Sequence, residues 1–511
     1  MLRVRRLSSA LVLILTGAIS TISTISTGQS ASAPATTVST TGSTPHLWFV
    51  NALGTTSETA RQEFLQGLRD QDAERFIDAK THFNAAVTAD PDFALGHLYA
   101  AFNAGSLSGY RNHLDEAIRL VDKAPPAEQL WIRAEQKGAD NDVTGQIAIV
   151  EELAKLTPND PRVYGYLSGA QFSANKRAES RATLERMAQI DPNYVQPLIL
   201  LGNSYLVTEP RDIEKAETYI RRAVALAPNE AIVHDYMGDV YRAENKLSDA
   251  RTEYTRMAEL APNRGDAFIQ RGHVNAFLGK FDEARADYDR GVQLADPSLK
   301  QNFAVYRALL NVYAGNPAAG ESELDRIAAS VDPAAPNASN TKVFALTEEA
   351  RIALHNKHLD VAQRTIDQLR TVFQQQLTEG RSDAFKRQSA ANLDYWEGML
   401  AARRGDYTTA QQKAQDFMTQ MAPDQNPRKN EPAHELFGMI EFLQGNYTSA
   451  ASHFAEANAD DNYVWYYRGL ALEGAGRKAE AKEFFKRGAE WNFSGSATAL
   501  TKKEAAKKIS G

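Results

Sequence analysis

Two histidines three residues apart, His355 and His358, have the type and spacing that would suit a metal ion, since both imidazoles could approach one site from a helix end. No third ligand is evident, and the plainer expectation is two solvated turn histidines. Ser173-Ala-Asn-Lys176 matches a Ser-x-x-Lys pair for nucleophilic chemistry, yet it lacks companion motifs and falls in a turn. Gly315-Asn-Pro-Ala-Ala-Gly320-Glu-Ser322 has the glycine spacing of a phosphate-binding loop. Glu321 stands where that chemistry needs a lysine, and the segment reads as an inter-helix turn rather than a strand end. Asn458-Ala-Asp460-Asp461-Asn462 offers oxygens to calcium without the EF-hand spacing, and reads as a polar turn. The sequence has no His-Glu-x-x-His, no nucleophile elbow and no Gly-x-Gly-x-x-Gly after a strand. With no cysteine at all, disulfides, thiolate zinc sites, Fe–S clusters and cysteine nucleophiles are excluded. No catalytic residue, cofactor or metal is therefore expected.

What could position such residues is a repeat. Ala216, Ala250 and Ala284 are 34 apart, as are Ile220, Tyr254 and Tyr288, and then Ala223, Met257 and Gly291. Gly238 and Gly272 keep the interval, and Pro228 and Pro262 close two units, with Asp296-Pro297 closing a third one residue late. The best copy is His234-x2-Met237-Gly238-x2-Tyr241, then Ala250-x3-Tyr254, then Pro262. It closely resembles the tetratricopeptide repeat, with His234 in place of the usual tryptophan and Met257 in place of a small residue. Drifted copies follow: Ala79, Phe83 and Ala86; Ala117, Val121 and Ala124; Tyr164, Leu184 and Met187; Ala362, Ile366 and Leu369. Gly398 leads to Ala410, Ala414 and Phe417, Gly438 to Ala450, Phe454 and Ala457, and Gly469 to Ala481, Phe485 and Gly488. The segments 131–158 and 303–327 fit loosely. The resemblance implies an all-α fold, a right-handed α-solenoid of about twelve helix pairs between Thr59 and Phe493, in one array or two.

One unit rationalises its residue types. Helices that cross closely want no bulk at the crossing, which suits Gly238, Ala250, Ala223, Gly291 and Ala457. Tyr241 and Tyr254 are expected to fill space between pairs. Ser248, Asp282 and Thr448 are placed to cap the second helices.

Breaks in the pattern suggest an order of segments. Residues 1–33 carry the basic start, apolar stretch and small-residue tail of a signal peptide, and 34–57 form a leader. An N-terminal array spans 58–330, a linker 331–341, a C-terminal array 342–496, and a basic capping helix or tail 497–511. Export to the periplasm or cell exterior is expected, with no membrane span once the signal is removed. A net charge of −7, or −10 with Arg3, Arg5 and Arg6 set aside, is a poor footprint for nucleic acid. Asn337, Asn446 and Asn492 head glycosylation acceptor patterns.

The resemblance also implies binding. The first helix of each pair lines the concave side, where such arrays take an extended peptide or a partner helix. A carboxylate-clamp register would place Asn203 beside Ile199, Ile232 and Tyr236, which cannot hold a carboxylate. The last units instead offer Tyr395, Met399, Met439, Phe442, Tyr463, Tyr466 and Leu470 as candidate partner contacts, an apolar groove for a protein or peptide; the alternative is that several of them pack between repeats. The expected function is an exported, non-catalytic scaffold. The alternative is an accessory subunit of an envelope enzyme or capture system, or an enzyme without a recognisable motif, marked by titratable residues converging in a closed pocket.

Overall fold

The computed structural model describes residues 53–510 apart from 105–106, 141, 296–298, 334–337, 379–382 and 425. The signal segment, most of the leader, Asp296-Pro297 and Asn337 lie outside the described residues. Among the described residues, twenty-five α-helices run in order: α1 (Glu58–Asp72), α2 (Phe76–Ala89), α3 (Ala94–Phe102), α4 (Leu107–Leu120), α5 (Pro126–Ala139), α6 (Val143–Leu156), α7 (Pro161–Ser173) and α8 (Arg177–Ile190). They continue with α9 (Val195–Val207), α10 (Ile213–Leu226), α11 (Ala231–Ala243), α12 (Leu247–Leu260), α13 (Gly265–Phe277), α14 (Phe281–Leu294), α15 (Lys300–Tyr313) and α16 (Pro317–Ala329). The last are α17 (Ala338–His355), α18 (Leu359–Thr378), α19 (Asp383–Arg404), α20 (Tyr407–Met421), α21 (Glu431–Leu443), α22 (Tyr447–Glu456), α23 (Asn462–Gly474), α24 (Lys478–Glu490) and α25 (Ser496–Ser510). Twelve helix pairs, α1/α2 to α23/α24, precede a single terminal helix, and the described residues contain no strand. The loosely fitting segments form the ordinary pairs α5/α6 and α15/α16. Among the described residues no helix is long and apolar enough to cross a membrane.

The crossing inside a pair has one recurrent device. A Cβ added at Gly238 would lie 2.6 Å from the Tyr254 ring, and Gly272 stands in the same relation to Tyr288, Gly67 to Phe83, Gly438 to Phe454 and Gly469 to Phe485. Each aromatic ring of the second helix therefore lies on the bare backbone of the first, out of water. Tyr254 thus packs within its own pair rather than between pairs, and Tyr241 is only half-buried. Ala216, Ala250 and Ala284, 34 apart, are fully buried.

The turns correct one expectation. Asn245, Gly279 and Gly445 have positive φ, and the amide two positions into the turn bonds back to the first helix, as Lys246 N to Tyr241 O at 2.8 Å. This is a Schellman-type closure. Its last residue is already the N-cap of the next helix, so α12, α14 and α22 start at Leu247, Phe281 and Tyr447, and their N-caps Lys246, Lys280 and Asn446 make no side-chain cap bond. Ser248, Asp282 and Thr448 fall inside the first turn instead. Where the N-cap is Asp142, Asn316 or Asp406, its side chain does accept a backbone N–H.

The chain packs as two compact units. An N-terminal unit contains 53–205 and 214–233, and a C-terminal unit contains 206–213 and 234–510. The division does not fall at 331–341: α16 packs directly on α17, and both belong to the C-terminal unit. The short stretch 206–213 joins that unit through specific contacts. The Arg211 guanidinium lies 4.7 Å from the Trp465 ring centroid and 5.0 Å from that of Trp491. Glu209 pairs with Arg487, and the Glu209 amide donates to Asp460.

Candidate functional site: the inner face of the C-terminal unit

In the C-terminal unit the first helices of successive pairs touch one another, α13 on α15, α15 on α17, α17 on α19, α19 on α21 and α21 on α23. Each second helix packs on its own partner and on the first helix of the next pair. First helices closer together than second helices make the row curve, with the first helices inside.

The inside of this curve is filled by the end of the same chain. After α24 the backbone turns extended at Trp491, and Asn492 and Phe493 are buried. Arg242 of α11, itself 1 % exposed, donates through Nε to the Asn492 carbonyl at 2.7 Å, and its guanidinium lies 4.9 Å from the Phe493 ring centroid. The Asn492 amide donates in return to the Arg242 carbonyl and to Asn245 Oδ1, both at 2.9 Å. A buried side chain fixed by those bonds cannot accept a glycan in this fold. Tyr313, the last residue of α15, donates to the Gly495 carbonyl at 3.3 Å. α25 then lies against α15, α17, α23 and α24.

The sequence-predicted contacts belong to the first helices α19, α21 and α23 and are largely covered. Tyr395, Met399, Met439, Tyr463 and Tyr466 are buried, while Phe442 and Leu470 are half-buried. Tyr395 donates to Glu435 at 2.9 Å. Tyr463 Oη lies 3.2 Å from His355 Nδ1, and Arg403 donates to Tyr467 at 2.8 Å. Tyr466 donates to Glu504 of α25 at 2.6 Å. Phe442 packs on the Tyr447 and Tyr467 rings. The expected apolar trough is thus closed by hydroxyl–charge contacts and by aromatic packing. Arg351 lies 5.0 Å from the Tyr463 ring centroid, with Glu435 and Asp461 oxygens at 4.0 and 3.8 Å. Sequence reasoning missed Arg351, Arg403 and Arg242, because nothing local marks a first-helix arginine as an inside residue.

Burial governs the titration of this cluster. It holds the Glu435 carboxyl well above the usual carboxylate range, and the His355 imidazole well below its usual value, with Arg403 and Arg351 adding to the second effect. His355 and His358 do not converge: His358 Nδ1 lies 2.9 Å from Glu321, whereas His355 faces Tyr463 and Tyr467. Among the described residues no group of three or more His, Cys, Asp or Glu side chains could hold a metal. Asn203, Ile199, Ile232 and Tyr236 are buried.

The N-terminal unit has its own internal polar cluster. Tyr110 and Tyr166 both donate to Glu135, at 2.7 and 2.8 Å, and burial pushes this carboxyl up to about 8. Asp72 accepts from Arg162 at 2.5 Å and from Tyr194 at 3.0 Å. Glu135 is fully covered, so this shifted carboxyl is packed as part of the interior.

No family model matches the chain. The TPR repeat-containing protein YpiA of Bacillus subtilis (strain 168) is 21% identical over 152 residues, 27% of this chain. The match covers 36% of that relative's length. Among solved structures, TTC0263, a thermophilic TPR protein of Thermus thermophilus, aligns at 19% identity over 36% of this chain and 98% of its own, with a TM-score of 0.31. The APC/C hetero-tetramer Cut9–Hcn1 aligns at 15% identity over 84% of this chain and 76% of that chain, with a TM-score of 0.37. With its 34-residue recurrence, twelve helix pairs and glycine–aromatic crossings, the chain is a tetratricopeptide-repeat protein, an all-α solenoid.

Proposed function

We propose that the protein is an exported, non-catalytic interaction scaffold that takes a peptide or partner helix on the inner face of its helix array. One observation carries this reading. The chain's own Trp491–Ser510 segment lies on that face, first extended and then helical, held by first-helix side chains and backbone. The array thus already handles the two ligand shapes that a curved row of helix pairs is suited to take. Export rests on the signal pattern of residues 1–33.

Affinity capture from the cell envelope, followed by cross-linking and mass spectrometry, tests the reading. Partner cross-links are expected at Lys502, Lys503, Lys507 and Lys508, beside the inner face. Cross-links concentrated on Lys478, Lys482 and Lys486 of the outer helix α24 would overturn it. Cell fractionation tests export separately: the protein is expected outside the cytoplasm, and a cytoplasmic pool alone would remove that part.

A further inference from the structure

The terminal helix α25 is held differently from the helices it touches. The second helices of the array bury a large ring or side chain at their crossing, such as Tyr254, Phe454 or Phe485. α25 buries Ser496, Thr498, Ala499, Thr501 and Ala505, with Leu500 its one large buried aliphatic. Small and hydroxyl side chains remove little apolar area from water, so hydrophobic burial contributes little to its seating. Polar bonds do most of the holding. The Ser496 amide donates to Glu348 at 2.8 Å, Lys503 Nζ to the Tyr313 carbonyl at 2.8 Å, and Asn462 to Thr498 at 3.2 Å. Tyr466 donates to Glu504 at 2.6 Å, and Lys508 pairs with Glu473 at 2.5 Å. Each of these groups can exchange its partner for water or for an equivalent group on another helix at small net cost.

The attachment points have unequal strength along the segment. Asn492 and Phe493 are locked against Arg242 by a 2.7 Å bond and a ring contact, whereas Gly495, the residue before α25, meets the Tyr313 hydroxyl at the longer 3.3 and 3.4 Å, and a Cβ added there would meet nothing within 4 Å. Release of the helix would therefore pivot at Ser494–Gly495 and leave the anchor in place. On α24 and α23 the helix stands where the first helix of a further pair would stand. Its contacts with α15 and α17 are additional to that capping role.

We propose that α25 is a releasable intramolecular ligand. It occupies the surface on which a partner helix docks, and that partner carries a Ser/Thr/Ala stripe, flanking lysines, and a carboxylate facing Tyr466. The inference rests on the inner-face reading above and adds the partner's chemistry and its regulation by displacement.

The test exploits the absence of cysteine. A Cβ at Gly488 lies 3.4 Å from the Ala505 Cβ, close to the roughly 3.5–4.5 Å that a disulfide spans, so Gly488→Cys/Ala505→Cys can tie α25 to α24 by a single bridge. The probe is a fluorescein-labelled synthetic peptide of residues 494–511. Thr501→Glu, which forces a carboxylate into a buried position, is expected to unseat α25 and to bind the peptide at least tenfold more tightly than the wild type. The oxidised double-cysteine protein is expected not to bind it, and reduction should restore wild-type behaviour. Equal binding by oxidised and reduced protein would overturn the proposal, as would Thr501→Glu binding no better than wild type while folded.

If Thr501→Glu unfolds throughout, hydrogen exchange on the wild-type protein decides. The amides of α25 should exchange well before those of α24, and equal rates would overturn release. The two readings fail separately. Partner cross-links on the outer helices with a positive peptide titration sink the scaffold reading alone. Inner-face cross-links with a negative titration sink the releasable helix alone.

Discussion

The two units are built of the same helix pairs and close their interiors by different means. The N-terminal unit does so with its own repeat side chains: Glu135 under two tyrosines, and Asp72 reaching Arg162 and Tyr194 far along the chain. In the C-terminal unit a segment outside the repeats, Trp491–Ser510, is laid across the first helices. The contrast shows that repeat packing fixes how a pair is made and leaves open what lies inside the curve. Buried carboxylates of the repeats themselves, Glu135 in one unit and Glu435 in the other, are permanent parts of the interior. A tethered helix with a thin apolar face, laid over the first helices of one unit alone, can be vacated.

The largest expected effect tests what the units share. Gly238→Leu should cost about 2–3 kcal/mol or more, because the side chain must displace the Tyr254 ring. Gly67→Leu should cost as much against Phe83. Urea midpoints measure both, and a neutral effect at either site would mean that its crossing is not close-packed.

Next comes the ion pair peculiar to the N-terminal unit. Asp72→Ala leaves the buried Arg162 guanidinium without its carboxylate, and about 3 kcal/mol should be lost. The same loss in Arg162→Met would show that the uncompensated charge is not the cause.

Glu135 of the N-terminal unit and His355 of the C-terminal unit should contribute pH dependence of opposite sign. Glu135 has a folded pKa raised to about 8 from an ordinary 4.5. The folded state holds the proton more tightly, so the contribution of Glu135 to stability is full below pH 4.5 and is lost as pH rises through 8, on the order of a few kcal/mol. Glu135→Gln should abolish that decline. In the C-terminal unit His355 has a folded pKa depressed from 6.5, so its contribution is present above that value and falls as the solution is acidified below it. His355→Phe should flatten this acid limb by up to about 3 kcal/mol. Unit-resolved hydrogen exchange across pH separates the two. A Glu135→Gln or His355→Phe variant whose stability follows pH as the wild type does would remove that residue's side of the comparison.

Much of the fold was legible because it is local. Ala250 was assigned to a close helix crossing and Tyr254 to a position out of water; they and their 34-residue equivalents Ala216, Ala284 and Tyr288 are all fully buried. Even the loose segments folded as ordinary pairs, since stacking on neighbours supplies what a degenerate unit lacks. The cap positions were misread by two residues, because a Schellman turn leaves no room between helices for a separate cap. The aromatics at 395, 463 and 466 fall on first helices and are buried. The identity of their covering groups was not legible, since Arg403, Glu435 and Glu504 are connected to them by no short-range pattern.

From the sequence alone one could derive the unit: two helices with a small residue where they cross, repeated every 34 residues. These follow from contacts within about one repeat, which spacing encodes directly. Tertiary structure alone decided where the chain divides into units and that the Trp491–Ser510 segment fills the inside of one of them. Those outcomes depend on small rotations added over many pairs, and a sum of small angles is written in no single repeat.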